Sequence, residues 1–449
     1  MKKQLAGILA LAMSLTMAAC SSGSDSGEVP AKTTTVAETT INEETTLEAE
    51  LIEKETTETN ETTKRETEKT TKVETTKAET ETKAPTISYI DPAASDFEYK
   101  YDAAIKGVKI TKYKGNDKAI RIPTELDGDS VVQFQIDNDK VEYIDISEGF
   151  TEISDYAFSK CHNLKSVNIP NGITSINIYA FAVSGLTEIS IPDSVKYIGA
   201  DAFSYCTNLT KINIPDSVTY IGYNAFGNCD NLTEISLPDN GVKINQRAFE
   251  SCKGLKTITI PDSAKFVTVD GDENIMISTF QECENLTSIT IPQGVTNIEG
   301  AFSDCISLTE ITIPDSVTTI GETAFWDCPS LVEITIPNSV TSIAKLAFWK
   351  CEALKEITFS DNITYIGESA FEHCRSLREI TLPDSVTEIG YHAFYYCTNL
   401  RSLTLPDSME KIGGDAFIEC DALTVTYKGK EYNYTNFEDL YDLLPPYQW

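Results

Sequence analysis

The stretch NLTKINIPDSVTYIGYNAFGNC, residues 208–229, returns one period later as NLTEISLPDNGVKINQRAFESC, residues 231–252. The same Leu, Pro, Ala-Phe and Cys stand at the same offsets in both copies. The Phe recurs at spacings of 22 or 23 residues, with a single spacing of 31. A fixed period in the twenties is the signature of a stacked-repeat solenoid. Twelve residues keep this period: Phe158, Phe181, Phe203, Phe226, Phe249, Phe280, Phe302, Phe325, Phe348, Phe371, Phe394 and Phe417.

The first half of the unit alternates in the manner of a β-strand. Leu209, Ile212 and Ile214 are apolar, whereas Lys211 and Asn213 are polar. Because successive side chains of a strand point to opposite faces, the apolar set is expected in the core and the polar set in solvent. Each repeat is therefore predicted to begin with one half-buried strand.

The second half of the unit contributes apolar residues to the core from two further segments. Pro215 opens a Pro-Asp-Ser turn, because proline presets φ and aspartate hydrogen-bonds back to the backbone. Val218 and Ile221 then supply apolar groups from a second short strand. Phe226 and Cys229, with the alanine before the Phe, have the spacing of one helical face. A short helical turn is thus predicted to close each repeat.

Two residue types are expected at bends of this path. Gly222 follows the second strand, where a larger residue would be strained. Asparagine, which tolerates the left-handed conformation, stands where the helical turn must end. These asparagines are Asn208, Asn231, Asn285 and Asn399.

The segments IPDSVTYIGYNAFGNCDNL (214–232) and IPDSVTTIGETAFWDCPSL (313–331) resemble BspA-like leucine-rich repeats. The resemblance extends over residues 100–425. It implies a curved leucine-rich-repeat solenoid of parallel strands and short helical turns, carried by an exported and often surface-attached protein. Such proteins are frequently adhesins, so the resemblance implies a location and a binding role.

The repeats are predicted to occupy residues 141–424, with a cap at each end. Residues 86–140 form the N-terminal cap and residues 425–449 the C-terminal cap. In the second cap, the sequence favours a hairpin turning at Lys428-Gly429 and a short helix starting near Asn436. Caps are needed because a terminal repeat would otherwise expose its core.

The N-terminus has the pattern of an exported lipoprotein. Two lysines precede an apolar run that ends at Met17 and is too short to span a bilayer. Residues 1–19 are therefore predicted to be a signal peptide, with Cys20 as the lipid-attachment residue and the only membrane anchor. With ordinary signal cleavage, Cys20 would instead be a free thiol.

Residues 20–85 carry this cysteine and a Thr- and Glu-rich linker. Ala31 to Pro85 contain 19 Thr, 14 Glu and 8 Lys or Arg, without any aromatic residue, Cys or Gly. Such a segment buries too little apolar surface to offset the entropy of ordering it. It is predicted to be a disordered stalk between a membrane and the repeat head.

The 449 residues carry a formal net charge of −33, which repels the phosphates of nucleic acid. No nucleic acid partner is therefore expected. A basic protein surface or divalent cations fit this charge better, although an acidic surface also keeps an extended repeat protein soluble.

Eleven cysteines remain after Cys20, an odd number that prevents complete pairing within one chain. Equivalent residues of stacked repeats point the same way, which is poor geometry for a disulfide. They are predicted to be buried free thiols that act as small apolar side chains. No Cys-x-x-Cys pair occurs, so no zinc site is predicted.

The repeat with the 31-residue spacing contains Asp270, Asp272 and Asn274 in D-x-D-x-N spacing. A calcium-binding EF-hand loop would need Gly where Ile275 stands and Glu where Gln281 stands. The stretch is therefore predicted to be an inserted surface loop, and its dependence on calcium stays open.

Catalytic signatures are missing from the sequence. His162, His373 and His392 are its three histidines, and they occupy different positions of the repeat. No G-x-S-x-G, H-E-x-x-H or phosphate-binding loop occurs. No catalytic residue, cofactor or metal is predicted, and an enzyme is not expected.

One polar position of the first strand carries the same charge in four consecutive repeats, at Glu310, Glu333, Glu356 and Glu379. Like charges on neighbouring strands are mildly unfavourable. The functional interpretation is a strip on the concave side that docks a basic or cation-bridged partner. The alternative is a solvated face whose charge is diluted by neighbouring lysine and arginine.

Aromatic residues also follow the column Phe in some repeats. Trp326 and Trp349 do so in consecutive repeats, and Tyr395-Tyr396 follow Phe394. They are interpreted either as an aromatic patch on the convex side or as packing between helical turns.

These features predict a non-catalytic cell-surface protein-binding or adhesion module on a lipid-anchored stalk, at the extracellular face of a bacterial membrane. The expected partner is a protein on a host or neighbouring cell, bound by a monomeric head. The alternative is a structural envelope scaffold that acts by self-association.

Overall fold

The structure is a computed structural model that describes residues 87–444. These residues belong to one compact unit, Ala84–Trp449. The signal peptide, the lipidated Cys20 and the linker predicted for residues 1–85 lie outside the described residues, as do residues 445–449.

Five strands precede the repeats, after a 3-10 helix at Ala94–Asp96. They are β1 (Phe97–Asp102), β2 (Gly107–Tyr113), β3 (Ala119–Ile122), β4 (Glu125–Leu126) and β5 (Asp129–Phe134). β2 pairs with β1 in the antiparallel sense and with β5 in the parallel sense, and β4 is antiparallel to β5. β1, β2, β4 and β5 therefore form a small sheet that mixes both pairing senses, whereas β3 pairs in parallel with β6 (Tyr143–Ile146) of the first repeat.

The repeats supply strands of two to four residues, in which apolar and polar side chains alternate as predicted. Their order is β6 (Tyr143–Ile146), β7 (Glu152–Ile153), β8 (Ser166–Asn168), β9 (Ser175–Ile176), β10 (Glu188–Ser190), β11 (Tyr197–Ile198), β12 (Lys211–Asn213), β13 (Tyr220–Ile221), β14 (Glu234–Ser236), β15 (Lys243–Asn245), β16 (Lys265–Val267), β17 (Ile275–Ile277), β18 (Ser288–Thr290), β19 (Asn297–Glu299), β20 (Glu310–Thr312), β21 (Thr319–Ile320), β22 (Glu333–Thr335), β23 (Ser342–Ile343), β24 (Glu356–Thr358), β25 (Tyr365–Ile366), β26 (Glu379–Thr381), β27 (Glu388–Ile389), β28 (Ser402–Thr404) and β29 (Lys411–Ile412).

The chain after the repeats folds as predicted from its turn and cap residues. β30 (Thr424–Tyr427) and β31 (Lys430–Tyr432) form an antiparallel hairpin, and α1 (Phe437–Leu443) follows. The side chain of Asn436 makes no capping bond to the helix, but its Oδ1 accepts the N–H of Asn433 at 2.7 Å. Within residues 87–444, no helix has the length and apolar character needed to cross a membrane.

Repeat strands pair in parallel with the equivalent strands of neighbouring repeats. On the first face Ile212 lies opposite Ile235, and on the second face Ile221 lies opposite Ile244. The predicted parallel-stranded solenoid is confirmed. The first face consists of β3, β6, β8, β10, β12, β14, β18, β20, β22, β24, β26, β28 and β30, and the second face of β7, β9, β11, β13, β15, β16, β17, β19, β21, β23, β25, β27 and β29.

The third side of the repeat, here the turn face, contains the column Phe and consists of turns where short helical turns were predicted. The N–H of Phe226 donates to the carbonyl of Ala248 in the next repeat (2.9 Å), whereas the N–H of Gly227 donates to Asn224 in its own turn (3.0 Å). Asn224 and Asn228 have left-handed φ values of 51° and 60°. These alternating bonds make a third parallel ladder, which a helix with only internal bonds could not supply.

The asparagines that precede the first Leu do not have the predicted left-handed conformation. In the described chain, none of Asn208, Asn231, Asn285 and Asn399 is among the residues with positive φ. In three of them the side-chain amide donates to a carbonyl of the preceding repeat instead, at 2.7 Å: Asn231 to Thr207, Asn285 to Lys253 and Asn399 to Arg375. Asparagine is therefore used here for its side-chain donor.

Gly222 is required by close packing between repeats. A Cβ atom at this position would lie 2.6 Å from the backbone nitrogen of Ala200. Backbone cannot withdraw as a flexible side chain can, so a larger residue would push successive turns apart. The prediction of a strained position is correct, but the cause is contact with the preceding repeat and not a special φ value.

The column phenylalanines form one continuous stack through the core. From Phe158 to Phe417, neighbouring ring centroids lie 5.1–6.0 Å apart, and interplanar angles do not exceed 26°. All twelve rings are buried. Each ring therefore packs on the equivalent ring above and below it, and this stack joins all the repeats.

The 31-residue unit supplies two strands to the second face. β16 pairs with β15, whereas β17 pairs with β19, so this face divides into a six-stranded and a seven-stranded sheet. The loop between them is exposed at Asp270, Gly271 and Asp272, in agreement with the predicted surface insertion. The core stack continues past the division, with Phe249 and Phe280 at 5.6 Å.

Candidate interaction surface

The four predicted partner-binding glutamates lie on the exposed side of the first face. Glu310, Glu333, Glu356 and Glu379 each begin a first-face strand, and all four are exposed. Strand alternation puts them there, because the isoleucine that follows each one points into the core. Glu333 stands directly opposite Glu356 in the parallel register. We call these four residues the glutamate strip.

Cations flank the glutamate strip but do not neutralise it. Lys355 and Arg378 are exposed beside Glu356 and Glu379. Within residues 87–444, no ion pair joins a lysine or arginine to any carboxylate of the strip. Adjacent like charges cost a few tenths of a kcal/mol each, so the strip is a small cost to the fold.

Earlier repeats carry mixed residues at the same position. Lys211 and Glu234 are opposite one another there and form an ion pair of 3.1 Å. The fold therefore accepts either charge at this position and does not require glutamate. The other occupants are Tyr143, Ser166, Glu188, Thr257 and Ser288 in earlier repeats, and Ser402 in the repeat after the strip.

An exposed threonine column runs parallel to the glutamate strip, two residues further along each strand. Thr290 lies opposite Thr312, and Thr335 lies opposite Thr358. Together the two columns give the second half of the first face one uniform pattern of carboxylates and hydroxyls. The column consists of Thr290, Thr312, Thr335, Thr358, Thr381 and Thr404.

The cysteine column is part of the core, as predicted. All eleven cysteines from Cys161 to Cys420 are buried free thiols. The sequence did not reveal that the thiols act as donors. From Cys206 to Cys420, each Sγ donates to the carbonyl of the column Phe in the preceding repeat, at 3.0–3.3 Å. Most of these carbonyls also accept a backbone N–H of their own turn, so cysteine supplies a second donor while filling a small apolar space.

Burial makes these thiols unreactive. Loss of solvation raises the pKa of Cys206 to about 11 and that of Cys252 to about 12, because a buried thiolate lacks water. The thiolate is the nucleophile and the metal ligand. Column cysteines are therefore suited to structure and not to chemistry.

We expect the thiols of the folded protein to resist modification. Protein comprising residues 84–449 would be incubated with N-ethylmaleimide at pH 7.5, and the number of adducts per chain would be measured by mass spectrometry. Fewer than one adduct per chain is expected after an hour, against eleven in 6 M guanidinium, because a reactive thiolate is neither populated nor accessible. Rapid addition of several adducts to the folded protein would contradict the buried column.

The three histidines do not share one site. Nδ1 of His162 lies 2.8 Å from Oδ1 of Asp139 near the N-terminal end. His373 and His392 lie in different columns but both approach Tyr395, at ring-centroid distances of 6.2 and 4.5 Å. The sequence did not predict this shared neighbour, because proximity across columns does not follow from the period.

The inserted loop has no coordination geometry around its acidic residues. Asp270 and Asp272 are both exposed. Within residues 87–444, no group of three or more His, Cys, Asp or Glu residues is placed to hold a metal ion. The D-x-D-x-N spacing therefore gives a solvated loop in this structure.

The repeats of this chain match a known family of leucine-rich repeats. A family model described as the BspA type leucine rich repeat region, with six copies, matches residues 131–256, 198–328, 273–400 and 366–438. The chain belongs to the BspA-type leucine-rich repeat family. No curated protein sequence matches it significantly.

Solved structures of bacterial leucine-rich repeat proteins resemble this BspA-type protein. A leucine-rich repeat protein from Bacteroides ovatus is 27% identical, with 74% of this chain and 92% of that chain covered and a TM-score of 0.61. A leucine rich cell surface protein from Faecalibacterium prausnitzii is 28% identical, with 81% and 100% covered and a TM-score of 0.50. The pneumococcal vaccine antigen PcpA is 21% identical, with 80% and 97% covered and a TM-score of 0.55, which shows a shared fold.

Proposed function

We propose that this BspA-type protein is a non-catalytic adhesion module at the bacterial surface, whose glutamate strip binds a basic patch on a protein of a host or neighbouring cell. In this proposal Cys20 carries the lipid that holds the protein to the membrane, and the linker presents the repeat head. Membership of the family and similarity to a cell surface protein support the location.

The observation that carries the proposal is the uniform charge of the glutamate strip. Equivalent positions in earlier repeats hold Tyr, Ser, Thr, Lys or Glu. From Ile189 to Ile380 the core residue beside them is isoleucine whichever of Ser, Thr, Lys or Glu precedes it, so packing does not explain four successive glutamates. An exposed row of carboxylates attracts a basic surface and speeds its association.

The test compares two variants with equal loss of charge. In one, Glu310, Glu333, Glu356 and Glu379 are changed to Gln. In the other, the exposed turn aspartates of nearby repeats are changed to Asn, which stands naturally at this turn position as Asn338. The control set is Asp315, Asp361, Asp384 and Asp407.

The unmodified protein and both variants, each comprising residues 84–449, would be immobilised and exposed to epithelial-cell and extracellular-matrix extracts. A protein captured by the unmodified chain would then be purified and its affinity measured. We expect at least tenfold weaker binding to the Gln variant, about 1.4 kcal/mol, and little change for the Asn variant.

Equal weakening by both variants would contradict a role for the strip, because bulk charge alone would explain it. No captured protein, together with concentration-dependent self-association in sedimentation, would favour the alternative of an envelope scaffold.

A further inference from the structure

A second surface feature lies on the turn face, away from the glutamate strip. It is a cluster of half-buried rings, which we call the aromatic patch: Trp326, Trp349, His373, Tyr395 and Tyr396. The two indoles stack at 4.9 Å with an interplanar angle of 6°. His373 meets Trp349 edge-on at 6.0 Å and stacks on Tyr396 at 4.9 Å. The rings therefore pack on one another across neighbouring turns and also remain partly exposed.

The fold does not need these aromatic residues. The position directly after the column Phe is Ser159, Ala182, Ser204, Gly227 and Ser303 in other repeats. The cross-repeat bond of the turn face forms with either kind of residue: the N–H of Phe203 donates to Ala225 and that of Phe325 to Ala347, each at 2.8 Å. The cross-repeat bonds of the turn face therefore do not depend on an aromatic residue at this position.

The patch already holds one cation. Nζ of Lys350 lies 4.2 Å from the ring centroid of Trp349, within the range of a cation–π interaction. Tryptophan has the strongest attraction for cations among the aromatic side chains. The ring faces of this patch can therefore accept a positively charged side chain.

Acidic groups outnumber basic groups around the patch. Carboxylates stand at Asp327, Glu352, Glu372 and Glu419, against cations at Lys350 and Arg375. Arg375 is itself paired with Glu352 at 3.5 Å. Burial lowers the pKa of His373, so the imidazole is neutral at pH 7 and adds no positive charge.

We propose that the aromatic patch is a second binding surface, which receives lysine or arginine side chains of a partner protein. A carboxylate-rimmed cluster of indole, phenol and imidazole rings offers cation–π contacts and ion pairs to the same side chains. Tryptophan and tyrosine are also the residues that most often dominate protein interfaces. A second copy fits poorly, because two chains of net charge −33 repel each other.

The test uses the full chain and a defined probe, the fluorescein-labelled peptide acetyl-(Lys-Gly)4-amide, in 150 mM NaCl. The variant carries Trp326→Ser and Trp349→Ser, because serine occurs naturally at this position and leaves the net charge unchanged. Binding is measured by fluorescence anisotropy, and equal thermal midpoints would show that both proteins are folded. We expect the variant to bind the peptide at least fivefold more weakly.

A second measurement needs no variant. Two of the three tryptophans in the sequence belong to the patch, so the peptide is expected to reduce acrylamide quenching of tryptophan fluorescence. The matching peptide acetyl-(Glu-Gly)4-amide should have no effect. Unchanged quenching by the basic peptide would overturn the proposal even if the variant failed to fold.

Other outcomes would overturn the proposal or assign the patch to a different partner. Equal binding to the parent and the serine variant, or loss of binding only with the four-Gln variant of the glutamate strip, would overturn the proposal and leave the strip intact as a site. A parent dimer that the serine substitutions convert to a monomer would assign the patch to a second copy. Oligosaccharide binding that is lost with the tryptophans would assign it to a glycan.

Discussion

Moderately alkaline solution is expected to unfold the repeat array. Burial raises the pKa of ten column thiols, from Cys161 to Cys397, whereas the unfolded chain has ordinary thiols that ionise near pH 9. The unfolded state therefore releases protons that the folded state keeps. The thiols leave stability unaffected below about pH 8 and destabilise the fold progressively as pH rises from 9 toward 11.

The magnitude follows from the number of thiols. One pH unit above the unfolded-state pKa, each thiol costs about 1.4 kcal/mol, and ten would cost about 14 kcal/mol. A typical protein is stable by only about 5–15 kcal/mol. A solenoid can also lose a few repeats at a time, so partial unfolding is expected before the full sum is reached.

The measurement is guanidinium unfolding, followed by circular dichroism, at pH 7, 8, 9 and 10 with a reductant present. The unfolding midpoint should be constant to pH 8 and then fall steeply. The control is a variant with Cys328, Cys351, Cys374 and Cys397 changed to Ser, the residue that Ser184 already supplies to this column. The unfolding midpoint of this variant should fall less steeply with rising pH than that of the unmodified protein. Equal slopes of midpoint against pH for the two proteins would contradict the mechanism.

Truncating one ring of the core stack is expected to have the largest effect of any single substitution. Phe325 is fully buried and packs on Phe302 at 5.5 Å and on Phe348 at 5.1 Å. Phe325→Ala leaves a cavity between two rings that the backbone ladders on three sides prevent from closing. The expected loss is about 3–5 kcal/mol of unfolding free energy.

Urea unfolding, monitored by both circular dichroism and tryptophan fluorescence, would measure this loss. Trp326 is the next residue in sequence, so its emission reports on the repeat that was changed. The matched control is Tyr205→Ala, which removes an aromatic ring that is 52% exposed on the turn face. That control should cost less than about 1 kcal/mol. Similar losses for the two substitutions would contradict a core held by the stack.

The period of the Phe residues was sufficient to predict the fold. Identical offsets fix which residues stack, and alternation around Ile212 and Ile214 fixes which side of the strand is inside. The turn face could not be predicted in the same way. Its left-handed positions are occupied by residues as different as Val183, Asn228 and Lys350, so no side-chain type marks them.

The candidate surface was predictable where it follows from the repeat. The exposure of Glu333 and its register with Glu356 both result from strand alternation and the 23-residue spacing. Contacts between columns were not predictable, because His373 and Tyr395 stand at different offsets from the column Phe. The hydrogen bond of each thiol could not be predicted from the sequence either, because residue spacing does not give the direction of a side-chain proton.

The divided second face has a mechanical consequence. At the junction between Cys252 and Cys283, β16 and β17 belong to separate sheets. On the first face the N–H groups of Asn285 and Thr287 donate to the carbonyls of Lys253 and Lys256 across this junction, at 3.3 and 3.2 Å. Turn-face bonds such as that from Phe249 to Thr279 (3.1 Å) and the core stack still join the two halves. Tension applied along the array would therefore meet its lowest resistance here, and the halves would separate as two intact blocks before either one unravelled.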